Sequence, residues 1–317
     1  MTLANNDTIT AALLKALKNN AVPTVRDERI AQATFAAISV AAGGGRNPRL
    51  LTGQLDVAKL SHNDSGRYWQ SIQYLAPARE SGIANVCWWS TIGCRAVCLN
   101  DSGRLGMAPA QIAQRVRTIF LVTEPAAYLV QLRRETRLQK RRAVKLGVPH
   151  VCRLNGTSDI TYDRVAGLAA YLPDVDKFQD YTKRPHHMVA PAGPDTAWHL
   201  TMSATERTVT ADDYVDGMAV VVNVPRGHEL PRRWYGRPVI DGDKDTGDIR
   251  LDDHKTPRAV VLLRAKGRAR RSAAGPANFV KDATDMALDA PHRSHYVPDR
   301  PRRRTLESIL TDITAGR

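Results

Sequence analysis

Three of the chain's four cysteines fall within twelve residues, as Cys87-Trp-Trp-Ser-Thr-Ile-Gly-Cys94-Arg-Ala-Val-Cys98. Clustered thiolates are how a protein holds a soft metal or an iron–sulfur cluster. Zinc sites favour C-x2-C pairs and four ligands in all. The spacing here is C-x6-C-x3-C, so a zinc ion would need a distant fourth ligand: Cys152, or a histidine such as His150, His186, His187 or His199. An iron–sulfur cluster can be held by three cysteines with one iron left open for chemistry. The third alternative is that of free, buried thiols acting as small apolar side chains. Residue types and spacing leave all three open. Trp88 and Trp89 are placed either to shield a cluster from water or simply to pack in the core.

Further polar groups recur in a pattern. Short apolar runs end in polar clusters: His150-Val-Cys-Arg-Leu before Asn155-Gly-Thr-Ser-Asp159, and Asp176-Lys-Phe-Gln before Asp180-Tyr-Thr-Lys183-Arg184. Trp198-His-Leu-Thr-Met then precedes Ser203, and Ala219-Val-Val-Val-Asn-Val precedes Pro225. Val239-Ile240 leads to Asp241-Gly-Asp243, and Ala259-Val-Val-Leu-Leu to Arg264-Ala-Lys-Gly267. Each reads as a buried strand followed by a functional loop. Asp159, Asp180, Lys183 and Asp241 are the candidate acid, base or substrate-holding groups. Asn155, Thr157, Ser158 and Ser203 are candidate cofactor-binding residues. The alternate carboxylates from Asp241 to Asp248 resemble the start of a calcium loop. Thr246 stands where glycine is needed and Asp252 where glutamate is needed, so a polar turn accounts for them better. No Walker loop, G-x-S-x-G elbow or H-E-x-x-H pair is present, which argues against P-loop, serine hydrolase and zinc protease chemistry.

The elements that position these groups are predicted to be α/β. Strands separated by crossovers favour a parallel sheet whose C-terminal ends build the site. The expected fold is a TIM-like or partial (β/α) barrel over 51–280. A helical N-terminal appendage over 1–50 precedes it, and a basic tail with a short helix over 281–317 follows. Helices are predicted at 7–18, at 24–42 with Thr24 and Asp27 as cap, at 109–147 with a break near Glu124-Pro125, and at 163–171. Arg133 to Lys145 is dense in cations, either a solvated face or a phosphate-contacting stripe.

A net charge of +14 favours polyanionic partners, here DNA or RNA met through the basic surface and tail. No apolar run is long enough to span a bilayer and no signal-peptide pattern opens the chain, so a cytoplasmic protein with reduced thiols and no membrane partner is expected. Its oligomeric state is not readable.

The segments Lys59-Leu-Ser-His-Asn-Asp64, Cys87…Cys94…Cys98-Leu-Asn, Arg153-Leu-Asn-Gly-Thr-Ser-Asp159, Asp180-Tyr-Thr-Lys183, His199-Leu-Thr-Met-Ser203 and Arg264-Ala-Lys-Gly267 together resemble the phage gene product 88 family, over roughly residues 55–280. The resemblance implies a bacteriophage or prophage origin, and so a host cytoplasm, but no activity. The order of elements is also similar to that of radical S-adenosylmethionine enzymes, whose three cysteines follow the first barrel strand and hold a 4Fe–4S cluster. That likeness implies Cys87, Cys94 and Cys98 as cluster ligands and Asn155 to Asp159 as the loop that meets adenosylmethionine. The cysteine spacing differs from that superfamily's usual C-x3-C-x2-C. The competing expectation is a non-catalytic, nucleic-acid-binding protein with structural cysteines or zinc.

Overall fold

A computed structural model describes residues 3–19, 22–54, 68–189, 196–224, 228–243, 258–271 and 279–283. The expected Lys59–Asp64 motif, the carboxylates at 245–252 and the tail helix lie outside these residues.

Helix α1 (Asn6–Asn19) and helix α2 (Val25–Ala41) open the chain. Thr24 starts α2 with a reciprocal capping box to Asp27, which satisfies two otherwise unpaired N–H groups. After strands β1 (Leu51–Gly53) and β2 (Trp69–Gln73) come a short helix, α3 (Ile92–Ala96), and two long ones, α4 (Ala108–Thr123) and α5 (Pro125–Lys145). The break at Glu124 follows from Pro125, which restricts the residue before it and opens α5 at its first turn. Then follow β3 (His150–Arg153), the single turn α6 (Leu168–Tyr171), β4 (Lys177–Thr182), β5 (Trp198–Met202), β6 (Met218–Asn223), β7 (Arg233–Trp234), β8 (Arg237–Asp241), β9 (Val260–Arg264), α7 (Arg268–Arg271) and β10 (Lys281–Asp282). All six apolar runs are strands. The helix expected over 163–171 is cut down to α6, because Gly167 takes φ +85° immediately before it.

The fold is mixed α/β with two sheets, one of them a half-barrel; the described residues do not close it into a full TIM barrel. The first sheet has the order β1-β2-β3-β4-β5, and the second β10-β6-β9-β8-β7. Pairing from β2 to β5 is parallel throughout, as is β6 with β9 and β9 with β8; β1 is antiparallel to β2. A parallel bridge between Ser203 and Ala219 carries β5 onto β6.

One face of β2–β5 carries Trp69, Ser71, Cys152 and Phe178, and α4 and α5 cover it. Trp69 Nε1 donates to Gln139 Oε1 at 2.8 Å, and Tyr128 Oη to Gln73 Oε1 at 2.9 Å. The segment 1–50 joins this same core rather than standing apart from it. Ile9 and Leu13 of α1 and Phe35 of α2 are buried with Phe120, Tyr128 and Leu132, and Phe35 stacks on Phe120 at 4.5 Å between centroids. The opposite, concave face of the sheet carries Gln70, Arg153, Gln179 and Tyr181. Both side-chain amides there, Gln70 and Gln179, are buried without hydrogen-bond partners.

Candidate functional site: a thiol-lined cavity at the strand ends

The cysteine segment follows β2, the first of the parallel strands. Asn85 Oδ1 accepts the Cys87 N–H at 3.1 Å, and the Cys87 carbonyl accepts from Ser90 N and Oγ. Thr91 caps α3, its Oγ1 accepting the Cys94 N–H at 3.2 Å. The Glu206 carboxylate, from the loop after β5, accepts from Thr91 Oγ1 and from Gly93 N at 3.1 Å. The turn bearing Cys94 is thus fixed by a residue more than a hundred positions away.

The loop after β3 is folded around Asn155. Its Oδ1 accepts from Ser158 Oγ at 2.8 Å and Ile160 N at 2.9 Å, while its own N–H donates to Asp180 Oδ1 at 2.8 Å. Gly156 lies flat against the end of β2. A Cβ there would sit 2.4 Å from the Gln73 carbonyl oxygen and 2.7 Å from Ile72 Cγ2, closer than atoms can approach. Thr157 Oγ1 donates to Leu75 O at 2.6 Å, and Asp159 N to Val86 O at 2.8 Å. The Cys87 thiol donates to the Thr157 carbonyl at 3.4 Å. The cysteine segment and the Asn155–Asp159 loop are therefore one hydrogen-bonded unit.

Between them lies a cavity of about 240 Å³, at the C-terminal ends of the parallel strands. Cys87, Cys94 and Cys98 all line it, together with Asn155, Thr157, Ser158, Asp159, Lys183 and Ser203. The three expected cluster ligands and the four expected cofactor-binding residues thus line one space. Arg153 and Tyr181 from the concave face, and Val221, Leu263 and Arg264 from the second sheet, complete the wall. The Arg153 guanidinium lies over the Tyr181 ring, 4.7 Å from its centroid.

Asp180 and Asp241 do not line the cavity. Asp180 is fully buried on the other face of β4 and is engaged by Asn155; burial pushes its carboxyl up to about 7, against the pull of that bond. Asp241 pairs with Arg264 at 2.9 Å and accepts from Asp243 N, while Asp243 pairs with Lys266 at 2.6 Å. Both carboxylates thereby hold the cations at the cavity rim. Trp88 and Trp89 do not shield the site. Neither lines it, and Trp88 is 48% exposed.

Electrostatics knit the cavity together. Burial raises the Cys87 thiol well above its ordinary value and pushes Cys98 up to about 11, and the neighbouring Cys94 sulfur adds to both. At neutral pH the Cys87 and Cys98 thiols therefore keep their protons unless a bound soft metal takes the protons' place. Burial raises Asp159 too, although its carboxylate accepts from Thr182 Oγ1 at 2.8 Å and Lys183 N at 2.9 Å. Burial alone would lower the Lys183 ammonium, but Cys94, Asp159 and Cys87 outweigh it and hold the charge in place.

Among the described residues no three His, Cys, Asp or Glu side chains meet closely enough to hold a single ion. The expected distant zinc ligands lie elsewhere: Cys152 is buried in the helix-covered core, His150 bonds Ser71 at 2.8 Å, and His186 and His187 sit on an exposed turn. A polynuclear cluster makes a different demand, since each thiolate binds its own iron and the sulfurs need only surround a volume. Cys87, Cys94 and Cys98 surround one cavity, with the half-buried Lys183 beside them.

Glu206, Gly156 and Arg153 were not singled out by sequence reasoning. Glu206 had no recognisable spacing to the cysteines, and the role of Gly156 depends on a contact with β2 that no local pattern encodes.

The fold and site define a mixed α/β protein whose half-barrel carries its polar cavity at the strand ends. Residues 45–283 match the family described as Gene product 88, and the chain belongs to that family. No curated protein and no solved structure matches it. Among the described residues no helix is long and apolar enough to cross a membrane.

Proposed function

We propose that the protein is a phage-type iron–sulfur protein, with Cys87, Cys94 and Cys98 as cluster ligands at the mouth of a radical-S-adenosylmethionine-like half-barrel, acting on a nucleic acid or nucleotide in the host cytoplasm. The observation that carries this reading is the joint placement of three thiols and the Asn155–Asp159 loop around one cavity at the ends of parallel strands. When bound, a cluster with one iron free of protein ligands supplies one-electron chemistry to a co-substrate such as adenosylmethionine.

The chain's own residues have definable tasks beside it. Lys183 places a positive charge against the thiolates and Asp159, which offsets the cost of burying anionic sulfur. Asn155 and Gly156 hold their loop hard against β2, leaving Ser158 and Thr157 as short polar groups around the space. Arg153, stacked on Tyr181, supplies a fixed guanidinium suited to a phosphate or carboxylate. The net charge of +14 supports a polyanionic substrate.

Protein purified with oxygen excluded should be brown and contain iron and sulfide in stoichiometric amounts, and Cys94→Ala should lose the colour and most of both. Colourless protein free of iron and sulfide would overturn the cluster and leave a basic, non-catalytic nucleic-acid-binding protein.

A further inference from the structure

A second cavity, of about 350 Å³, lies between α2 and α5 under the loop that leads into β1. Its wall carries Arg46, Arg134 and Arg142. Most other cations of α5 are already committed. Arg133 donates to the Tyr171 carbonyl, Arg137 pairs with Glu28 at 2.8 Å, and Lys140 pairs with Asp176. Among the described residues Arg46 and Arg142 form no ion pair, Arg142 lying over the Trp69 ring, and Arg134 meets Glu28 at 3.9 Å while donating to the side-chain oxygen of Gln32.

The single acid in the wall does not neutralise them. Glu135 is buried, and its two oxygens accept from Leu50 N at 2.9 Å, Leu51 N at 2.8 Å and Gln131 Nε2 at 2.7 Å. Those bonds, with Ser39 Oγ donating to the Gly45 carbonyl at 2.7 Å, fix both ends of the loop that carries Arg46. The guanidinium groups are thus presented on a set frame. Gln131 supplies the second observation. It is 3% exposed and lines the cavity, and its Oε1 has no hydrogen-bond partner. A buried acceptor left unmet calls for a donor, which the hydroxyls of a sugar or the amino group of a base supply. Phe35, Pro48 and Leu138 add an apolar wall beside the arginines.

We infer that this cavity binds a nucleotide, its phosphate held by Arg46, Arg134 and Arg142 and a hydroxyl or amino donor of its sugar or base held by Gln131 Oε1. Forked guanidinium donors match phosphate oxygens in pairs, and the apolar wall accepts the flat ring. The nucleotide comes either from the free pool or from the end of a nucleic-acid strand. The inference does not depend on the thiol site, and Cys94→Ala protein should give the same titrations.

Calorimetric titration of the full chain with AMP, inorganic phosphate, and a short single-stranded DNA with or without a 5′-phosphate tests it. Saturable binding of AMP, or of the 5′-phosphorylated strand alone, is expected and tells the two sources apart. Arg46→Ala and Arg142→Ala, both at exposed positions that leave the fold intact, should each weaken that binding about tenfold or more. Arg141→Ala, on the same helix but outside the cavity, should leave it unchanged. Lack of saturable binding by any nucleotide, inorganic phosphate binding as tightly as AMP, or a double Arg46/Arg142 variant that binds like the unaltered protein would each overturn it.

Discussion

The two sheets are built from opposite materials. In the second, Ala219, Val220, Val222, Val260, Val261 and Leu262 are almost completely buried, and their work is apolar packing. In the first, Gln70, Ser71, Gln73, His150, Gln179, Asp180, His199 and Thr201 are just as buried yet polar. Burying a polar group costs free energy unless a partner is supplied. The first sheet bears that cost, and its strand ends carry the thiols and the Asn155 loop. The second closes the cavity with Val221 and Leu263. One sheet is therefore specialised for stability and the other for a site.

The largest expected effect that sharpens this contrast is in the second sheet. Leu262→Ala should destabilise the protein by about 2–5 kcal/mol, read from denaturant unfolding, while the reactivity of the cavity thiols in the folded state stays unchanged. An equal change in thiol reactivity would show that the division of labour is wrong.

In the first sheet, Gly156→Ala forces a methyl group into the Gln73 carbonyl. The expected cost is about 1–3 kcal/mol. Unlike the previous variant, it should also speed the alkylation of Cys87, because the loop that accepts its thiol hydrogen bond must move. Unaltered alkylation kinetics would break the link between loop and thiol.

The third effect is a slope, and it is small at any single pH step. Burial raises the Asp180 carboxyl to about 7, so the native state holds that proton more tightly than the unfolded chain does. The stability it contributes is complete below the ordinary carboxylate value near ~4 and is lost as pH rises towards about 7, by at most ~1.4 kcal/mol per pH unit. Thermal unfolding across that window should fall off less steeply for Asp180→Asn than for the unaltered protein. Parallel curves would mean that Asp180 is ionised in the fold throughout.

The same contrast explains what could be read from the residues alone. The valine-rich β6 and β9 announce themselves by composition, as do α2 with its Thr24–Asp27 box and the Pro125 break. Strand β2 does not. Trp69-Gln-Ser-Ile-Gln73 has no apolar run, because three of its five buried side chains are amides or a hydroxyl, satisfied or left open by distant residues. The cysteines, Asn155–Asp159, Lys183 and Ser203 were legible as chemical groups, and they converge on one cavity. Asp180 and Asp241 carried the same local pattern, yet one lies on the other face of β4 and the other is tied to Arg264. Alternation along a strand decides the first case, and an ion pair with a residue from another strand decides the second; neither is visible without the register. The cation-dense stretch of α5 was ambiguous because the partners of Arg133, Arg137 and Lys140 are remote in sequence.

The fourth cysteine has a practical consequence. Cys152 is sealed beneath the helices, with burial pushing its thiol up to about 12, whereas the other three are only half-buried. A mass spectrum taken after prolonged labelling of cluster-free protein should therefore register three adducts on the intact molecule and a fourth only on copies that have opened globally. The chain carries its own covalent clock for unfolding.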